Sequence, residues 1–196
     1  MSRTYRGYLL LASAFTLCGL TAWAQVPTSI ENANSRFEVA ANYNATRANT
    51  VPGYIFWMQG GSVQFCGQFT RHWGIAADVS GLHTGLMPHT GVGLDLINVV
   101  FGVRYTLASR TGRYRIYGQG LGGISDGINS VFPNASGITS TANGPALLVG
   151  GGMDQRLSRH LAYRIIDAAW LRTQLANGTT VVQNDLRLGS GIVFRF

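Results

Sequence analysis

Apolar and polar residues alternate in steps of two along this chain, most clearly in the last segment, where Leu186, Leu188, Ile192, Phe194 and Phe196 are interleaved with Arg187, Gly189, Gly191, Val193 and Arg195. A period of two belongs to a β-strand with one greasy face and one small or charged face. The same split sets Ile97, Val99, Phe101, Val103, Tyr105 and Leu107 against Asn98, Val100, Gly102, Arg104 and Thr106. It sets Val63, Phe65 and Phe69 against Ser62, Gln64, Cys66, Gln68 and Thr70. Further copies set Phe37, Val39, Ala41 and Tyr43 against Glu38, Asn42 and Asn44, and Trp73, Ile75, Ala77 and Val79 against Ala76, Asp78 and Ser80. Three less regular segments, Tyr114 to Gly123, Gly144 to Arg156 and Leu161 to Arg172, bring the strands to eight. In the last of these, Leu161, Tyr163, Ile165 and Leu171 oppose Arg164, Trp170 and Arg172. Asp167 then falls on the greasy side, and only a bulge that shifts the register could account for it.

The connections alternate in length. Short links fall at Arg71-His72, Ala108 to Gly112 and Leu157 to His160, and long ones at Arg47 to Met58, Gly81 to Gly93, Ser125 to Asn143 and Gln174 to Val181. Short turns at one end and long loops at the other, joining strands long enough to cross the hydrocarbon layer at a tilt, predict an all-β, eight-stranded antiparallel up-and-down transmembrane β-barrel. An even strand number returns both ends of the chain to the periplasmic side. Two features favour an outward greasy face over the filled interior of a soluble barrel. Aromatics gather toward strand ends on that face (Phe37, Phe69, Trp73, Tyr105, Tyr114, Tyr163, Phe194, Phe196), as an interfacial belt requires, and glycines crowd the other face, leaving room for arginines.

Residues 1–24 read as an export signal: Arg3 and Arg6, the apolar run Tyr8 to Leu20, and the small-x-small site Ala22-Trp23-Ala24. The run is too short for a membrane helix, and the residues before Cys18 lack a lipoprotein box. Residues 25–35 are a lead-in and 36–196 the barrel. Cys66 is then the one mature cysteine, so an internal disulfide is excluded and a closed hydrogen-bonded sheet must supply stability. Charged residues are 12% of the chain, too few for a disordered secreted protein, and all 15 basic positions are arginine against 8 acids. The arginines are spread along strands and form no one-sided patch, so no nucleic-acid partner is expected.

The terminal strand Gly191-Ile192-Val193-Phe194-Arg195-Phe196, the hairpin Gly150 to His160 and the stretch Arg71-His72-Trp73-Gly74-Ile75-Ala76-Ala77-Asp78 resemble the OmpA-like family of small outer-membrane barrels, over about Arg36 to Phe196. The resemblance implies localisation in the cell outer membrane, surrounding outer-membrane lipid, and recognition by the barrel-assembly machinery through the C-terminal Phe196. Nothing follows Phe196, so the peptidoglycan-binding domain of larger members is not expected. The motifs identify the barrel class well and the activity poorly.

Candidate chemistry is sparse. Gly118-Gln119-Gly120-Leu121-Gly122-Gly123 fits G-x-G-x-x-G, but no helix follows it and no acid stands at the ribose position, so no cofactor is expected. His72, His83, His89 and His160 show no metal-ligand spacing. Three Asn-x-Ser/Thr triplets, at Asn44, Asn134 and Asn177, are treated as chance. The informative set is inward: Glu38, Asp78, Arg104, Arg115, Asp154, Arg156, Arg164 and Arg195, with Arg172 and Arg187 nearer the outer end. A lumen ion-pair network is the leading reading, because the arginine fork holds carboxylates by two-point contacts in a narrow bore. An anion path remains the alternative. Ser158 and His160 are the one close Ser and His pair, in a turn with no evident carboxylate, so an enzyme is not expected. Tyr54-Ile55-Phe56-Trp57 is read as the upper interfacial belt, Ser125 to Asn143 as a mobile surface loop, and the outer loops as the surface open to an extracellular partner.

Overall fold

The computed structural model describes residues 36–49, 54–85, 91–134, 137–175 and 182–196. The expected export signal, the lead-in, Asn177 and parts of the long loops lie outside the described residues. The strands are β1 (Phe37–Ala48), β2 (Phe56–Gln68), β3 (Trp73–Thr84), β4 (Leu94–Ala108), β5 (Tyr114–Ile128), β6 (Phe132–Asn134), β7 (Gly137–Thr139), β8 (Ala142–Arg156), β9 (Leu161–Thr173) and β10 (Gln183–Arg195). Eight form a closed barrel in the order β1-β10-β9-β8-β5-β4-β3-β2, each antiparallel to its neighbours. The seam is made by β1 and β10, where the Phe196 amide donates to the Phe37 carbonyl at 2.9 Å. The short β6 and β7 pair with each other in a hairpin within the long link from β5 to β8, so Ser125 to Asn143 carries ordered strands where the sequence suggested only loop.

At one end the barrel strands are joined by tight turns. Thr70 Oγ1 accepts the Trp73 amide at 2.9 Å, Ser158 Oγ accepts the Leu161 amide at 3.1 Å, and Gly112 turns the β4–β5 link with φ near 64°. That positive φ suits glycine, which has no Cβ to clash.

The barrel has two storeys with opposite patterning. Along most of its height the outward face is apolar: Phe101 is 68% exposed and Ile75 60%, while Arg104 and Asp78 point inward and are buried. On β4 this outward row runs from Ile97 to Leu107. Ten residue steps at about 3.3 Å, tilted by about 40°, rise about 25 Å, the height of an outer-membrane apolar band. Beyond the band, toward the long loops, polar residues enter the outward positions of every barrel strand (Arg47, Gln59, His83, Asp95, Asp126, Asn143, Arg172 and Asn184), although on β2 the exposed Trp57 lies beyond Gln59. At that same end the inward positions turn apolar, and Met58, Leu82, Leu94, Leu96, Leu148, Leu171 and Leu175 pack with Phe56 and Phe132 in one buried cluster. A strand that leaves hydrocarbon for water must reverse its pattern, since apolar side chains there gain by filling the bore. Sequence reading, which put the greasy residues outward throughout, missed this reversal.

The bulge that Asp167 requires is present. Met153 pairs with Ile166 but Asp154 pairs with Arg164, and Gly189 and Gly191 on β10 pair with Asp167 and Arg164. Ile165 and Ile166 therefore both face outward, and all later side chains of β9 change sides. Asp167 and Leu171 are buried inside, while Trp170 is 40% exposed. The sequence assignment of Leu171 outward with Trp170 and Arg172 inward is thus reversed, because one extra residue inverts a period-two pattern.

Candidate functional site

The distinctive assembly of side chains is the polar lumen below the apolar cap, to which every barrel strand contributes. Its hub is Gln64 on β2. Its Oε1 accepts from the Arg104 guanidinium at 2.7 Å and from that of Arg164, and its Nε2 donates to Asp78 at 2.8 Å and Asp167 at 3.0 Å. One neutral amide thus satisfies two cations with its oxygen and two anions with its nitrogen, the full inventory of both atoms.

Two clusters branch from the hub. Toward mid-height, Arg187 grips Asp78 with both terminal nitrogens, at 2.8 and 3.0 Å, and Arg104 binds Gln119 through Nε at 3.0 Å. Toward the short turns, Arg164 Nε donates to Asp154 at 2.9 Å, Arg195 bridges Glu38 at 3.0 Å and Asp154 at 3.2 Å, and Arg115 closes on Glu38. Tyr117 lies between two guanidinium groups, Arg104 at 4.2 Å and Arg164 at 4.6 Å from its ring centre, so its π faces add to the cation binding. Gly152 makes room for it: a Cβ there would fall 2.6 Å from the Tyr117 hydroxyl and 2.4 Å from the Ile166 carbonyl. Taken whole, the bore holds five arginines (104, 115, 164, 187, 195) and five acids (38, 78, 154, 167, 185).

Of the sequence-nominated lumen residues, Glu38, Asp78, Arg104, Arg115, Asp154, Arg164 and Arg195 are brought together here. Arg156 is not: β8 ends at this residue, and its side chain stands exposed at the rim. Arg172 faces outward because of the bulge, and Arg187 is buried in the network. Sequence reasoning missed Gln64 as hub and also Gln119 and Tyr117. Gln64 carried the inward parity, but having no charge it gave no signal beyond that. The aromatics Phe37, Phe69, Trp73, Tyr114, Tyr163, Phe194 and Phe196 are exposed on the outer face, and Tyr105 is half-buried against Trp73 and His72. Tyr54, Ile55 and Trp57 are exposed at the long-loop end, whereas Phe56 turns into the cap.

The remaining candidates find ordinary places. The glycine motif lies within β5. His160 Nδ1 is 3.0 Å from the Arg195 carbonyl, and Ser158 Oγ is engaged by the Leu161 amide. Among the described residues no group of His, Cys, Asp and Glu is arranged to hold a metal. Cys66 is a buried free thiol, and Asn44 is buried in β1.

No protein-family model and no curated protein matches the chain. Among solved structures it is similar to Neisserial surface protein A, at 14% identity and a TM-score of 0.61, over 83% of this chain and 98% of that one. It is also similar to Ail, the attachment invasion locus protein of Yersinia pestis, at 18% identity and a TM-score of 0.54, over 81% of this chain and 97% of that one. A second structure of Ail, in complex with the heparin analogue sucrose octasulfate, matches at 19% identity and a TM-score of 0.52. At such identities the likeness is one of fold, and the fold is that of the small eight-stranded outer-membrane barrels.

Proposed function

We propose that this protein is a non-enzymatic barrel of the bacterial outer membrane. In this reading it is held in lipid by its outward apolar band, has a closed lumen, and presents its long-loop end to the cell's surroundings as a structural or contact surface. The observation that carries the reading is the inverted sheet, with exposed aromatics and aliphatics outside and charged side chains buried within. In water that arrangement exposes a large apolar collar, whereas in hydrocarbon the closed sheet pairs its backbone groups and the charges of the bore are shielded from lipid. The fold it shares with a protein named for attachment supports a contact role for the loops. Ser158 and His160 are each engaged by backbone groups, the Leu161 amide and the Arg195 carbonyl, which supports a structural role for both and not a catalytic relay.

Cell fractionation with surface protease tests this reading. The protein should resist carbonate extraction from the outer membrane and be cut from outside only in its long loops, such as the β6–β7 hairpin. Removing those loops should leave heat-modifiable folding intact and abolish any adhesion. Recovery in the soluble periplasmic fraction would overturn the membrane placement, and loss of folding on loop removal would overturn the division between scaffold and contact surface. The arginine-rich bore favours a second reading, a small anion-preferring channel, which conductance recording separates.

A further inference from the structure

The described residues carry thirteen arginines and seven acids, an excess of six. The bore is balanced, five against five. The long-loop end is balanced too, since outward Arg47 and Arg172 are matched by Asp95 and Asp126. The whole excess is therefore Arg36, Arg71, Arg110, Arg113, Arg156 and Arg159, all exposed at the short-turn rim. Among the described residues no acidic side chain stands at that rim, and none of the six forms an ion pair.

Their placement is annular. Arg36 leads into β1, Arg71 lies between β2 and β3, Arg110 and Arg113 lie between β4 and β5, and Arg156 and Arg159 flank the β8–β9 turn. Directly beside them on the outward face are Phe69, Trp73, Tyr114 and Phe196, and the Arg113 guanidinium sits 5.9 Å from the Tyr114 ring centre. Aromatic residues of this kind settle at headgroup depth, which puts the guanidinium groups level with lipid phosphates. A soluble polyanion would engage one side of the rim. Lipid surrounding the barrel approaches the rim from every side.

We infer that the short-turn rim is a binding site for anionic phospholipid headgroups, which it selects from the adjoining leaflet through arginine–phosphate contacts. The planar guanidinium fork matches a phosphate by two parallel hydrogen bonds, and each cation near an anionic surface gains roughly five-fold in binding. The inference rests on the membrane reading above.

The test uses the full chain with Trp73, next to the rim, as the one remaining tryptophan (W23F, W57F, W170F). The protein is folded into phosphatidylcholine vesicles containing phosphatidylglycerol, with bromine on the acyl chains of one lipid or the other at equal mole fraction. Brominated phosphatidylglycerol should be enriched around Trp73 by about five-fold or more over brominated phosphatidylcholine. That preference should fall as salt shortens the screening length from about 10 Å at 0.1 M to about 3 Å at 1 M. It should vanish when the six arginines are changed to glutamine, and a chain retaining only Trp57, at the opposite end, should show none. Equal quenching by the two lipids overturns the inference, as does a preference that ignores both salt and the glutamine changes. Insertion is read separately by gel mobility. Failure to insert even into vesicles containing both lipids overturns the membrane reading and the inference with it, whereas insertion without preference overturns the inference alone.

Discussion

Gln64 makes four contacts to four ionised groups, all of them buried. Replacing it with leucine keeps the volume but leaves two guanidinium groups and two carboxylates each short of a partner. A buried polar group deprived of its hydrogen bond costs about 1–3 kcal/mol, and charged ones cost more. Gln64→Leu should therefore destabilise the barrel by about 3 kcal/mol or more, read from urea unfolding in vesicles followed by tryptophan fluorescence. An unchanged midpoint would show that the hub contacts carry little energy. Phe101, in the middle of the apolar band, tests the outer surface at the same scale. Phe101→Arg should cost about 2–4 kcal/mol in a bilayer, while Gln59→Arg, above the band, should cost about 1 kcal/mol or less. Equal costs at the two depths would mean that the band does not face lipid.

At the scale of the strand, the bulge in β9 decides which residues reach the lumen. Ile165 is the extra residue that lets both Arg164 and Asp167 point inward from one strand. Deleting it should turn Asp167 and Leu171 outward or drag β9 out of register with β8 and β10. Loss of the heat-modifiable band on gels is expected, and a deletion that folds normally would show that the register tolerates the slip. These features also mark how far the sequence could be read. The eight barrel strands, their faces over most of their length and the alternation of short and long links follow from period-two patterning, because the part of a strand that crosses hydrocarbon keeps its outward face apolar. Asp167 was legible as an anomaly, but its remedy could not be located: Ile165-Ile166 suits either face, and only pairing with Met153 and Gly189 identifies the extra residue. The reversal near the loops was hidden for a similar reason. Leu82, Leu94 and Leu96 satisfy a strand pattern whichever way they point, and alternation gives no information about where hydrocarbon ends. Gln64 and Tyr117 were hidden differently, since their value depends on partners from distant strands.

For the molecule as a whole, the bore is closed by two unlike materials in series: an arginine–carboxylate lattice toward the short turns and a mainly apolar cap toward the loops, with Asp185 buried at the level of Leu171. An ion passing through would have to displace paired arginines and then cross a narrow, mainly apolar segment that replaces little of its hydration. Planar-bilayer recordings of the purified protein should therefore show no steady conductance. Sustained anion-preferring current would favour the channel reading and require the cap to open.

The apolar cap also isolates the two halves of the barrel from each other. Phe132 and Leu175, next to or within the long links, anchor them into that cap and not into the arginine lattice. Substitutions farther out in the loops are thus separated from the ion pairs by a mainly apolar layer. A lineage pressed to vary its outer surface could do so without retuning the interior, and loop grafts that keep those two anchors are the natural way for an engineer to exploit the same freedom.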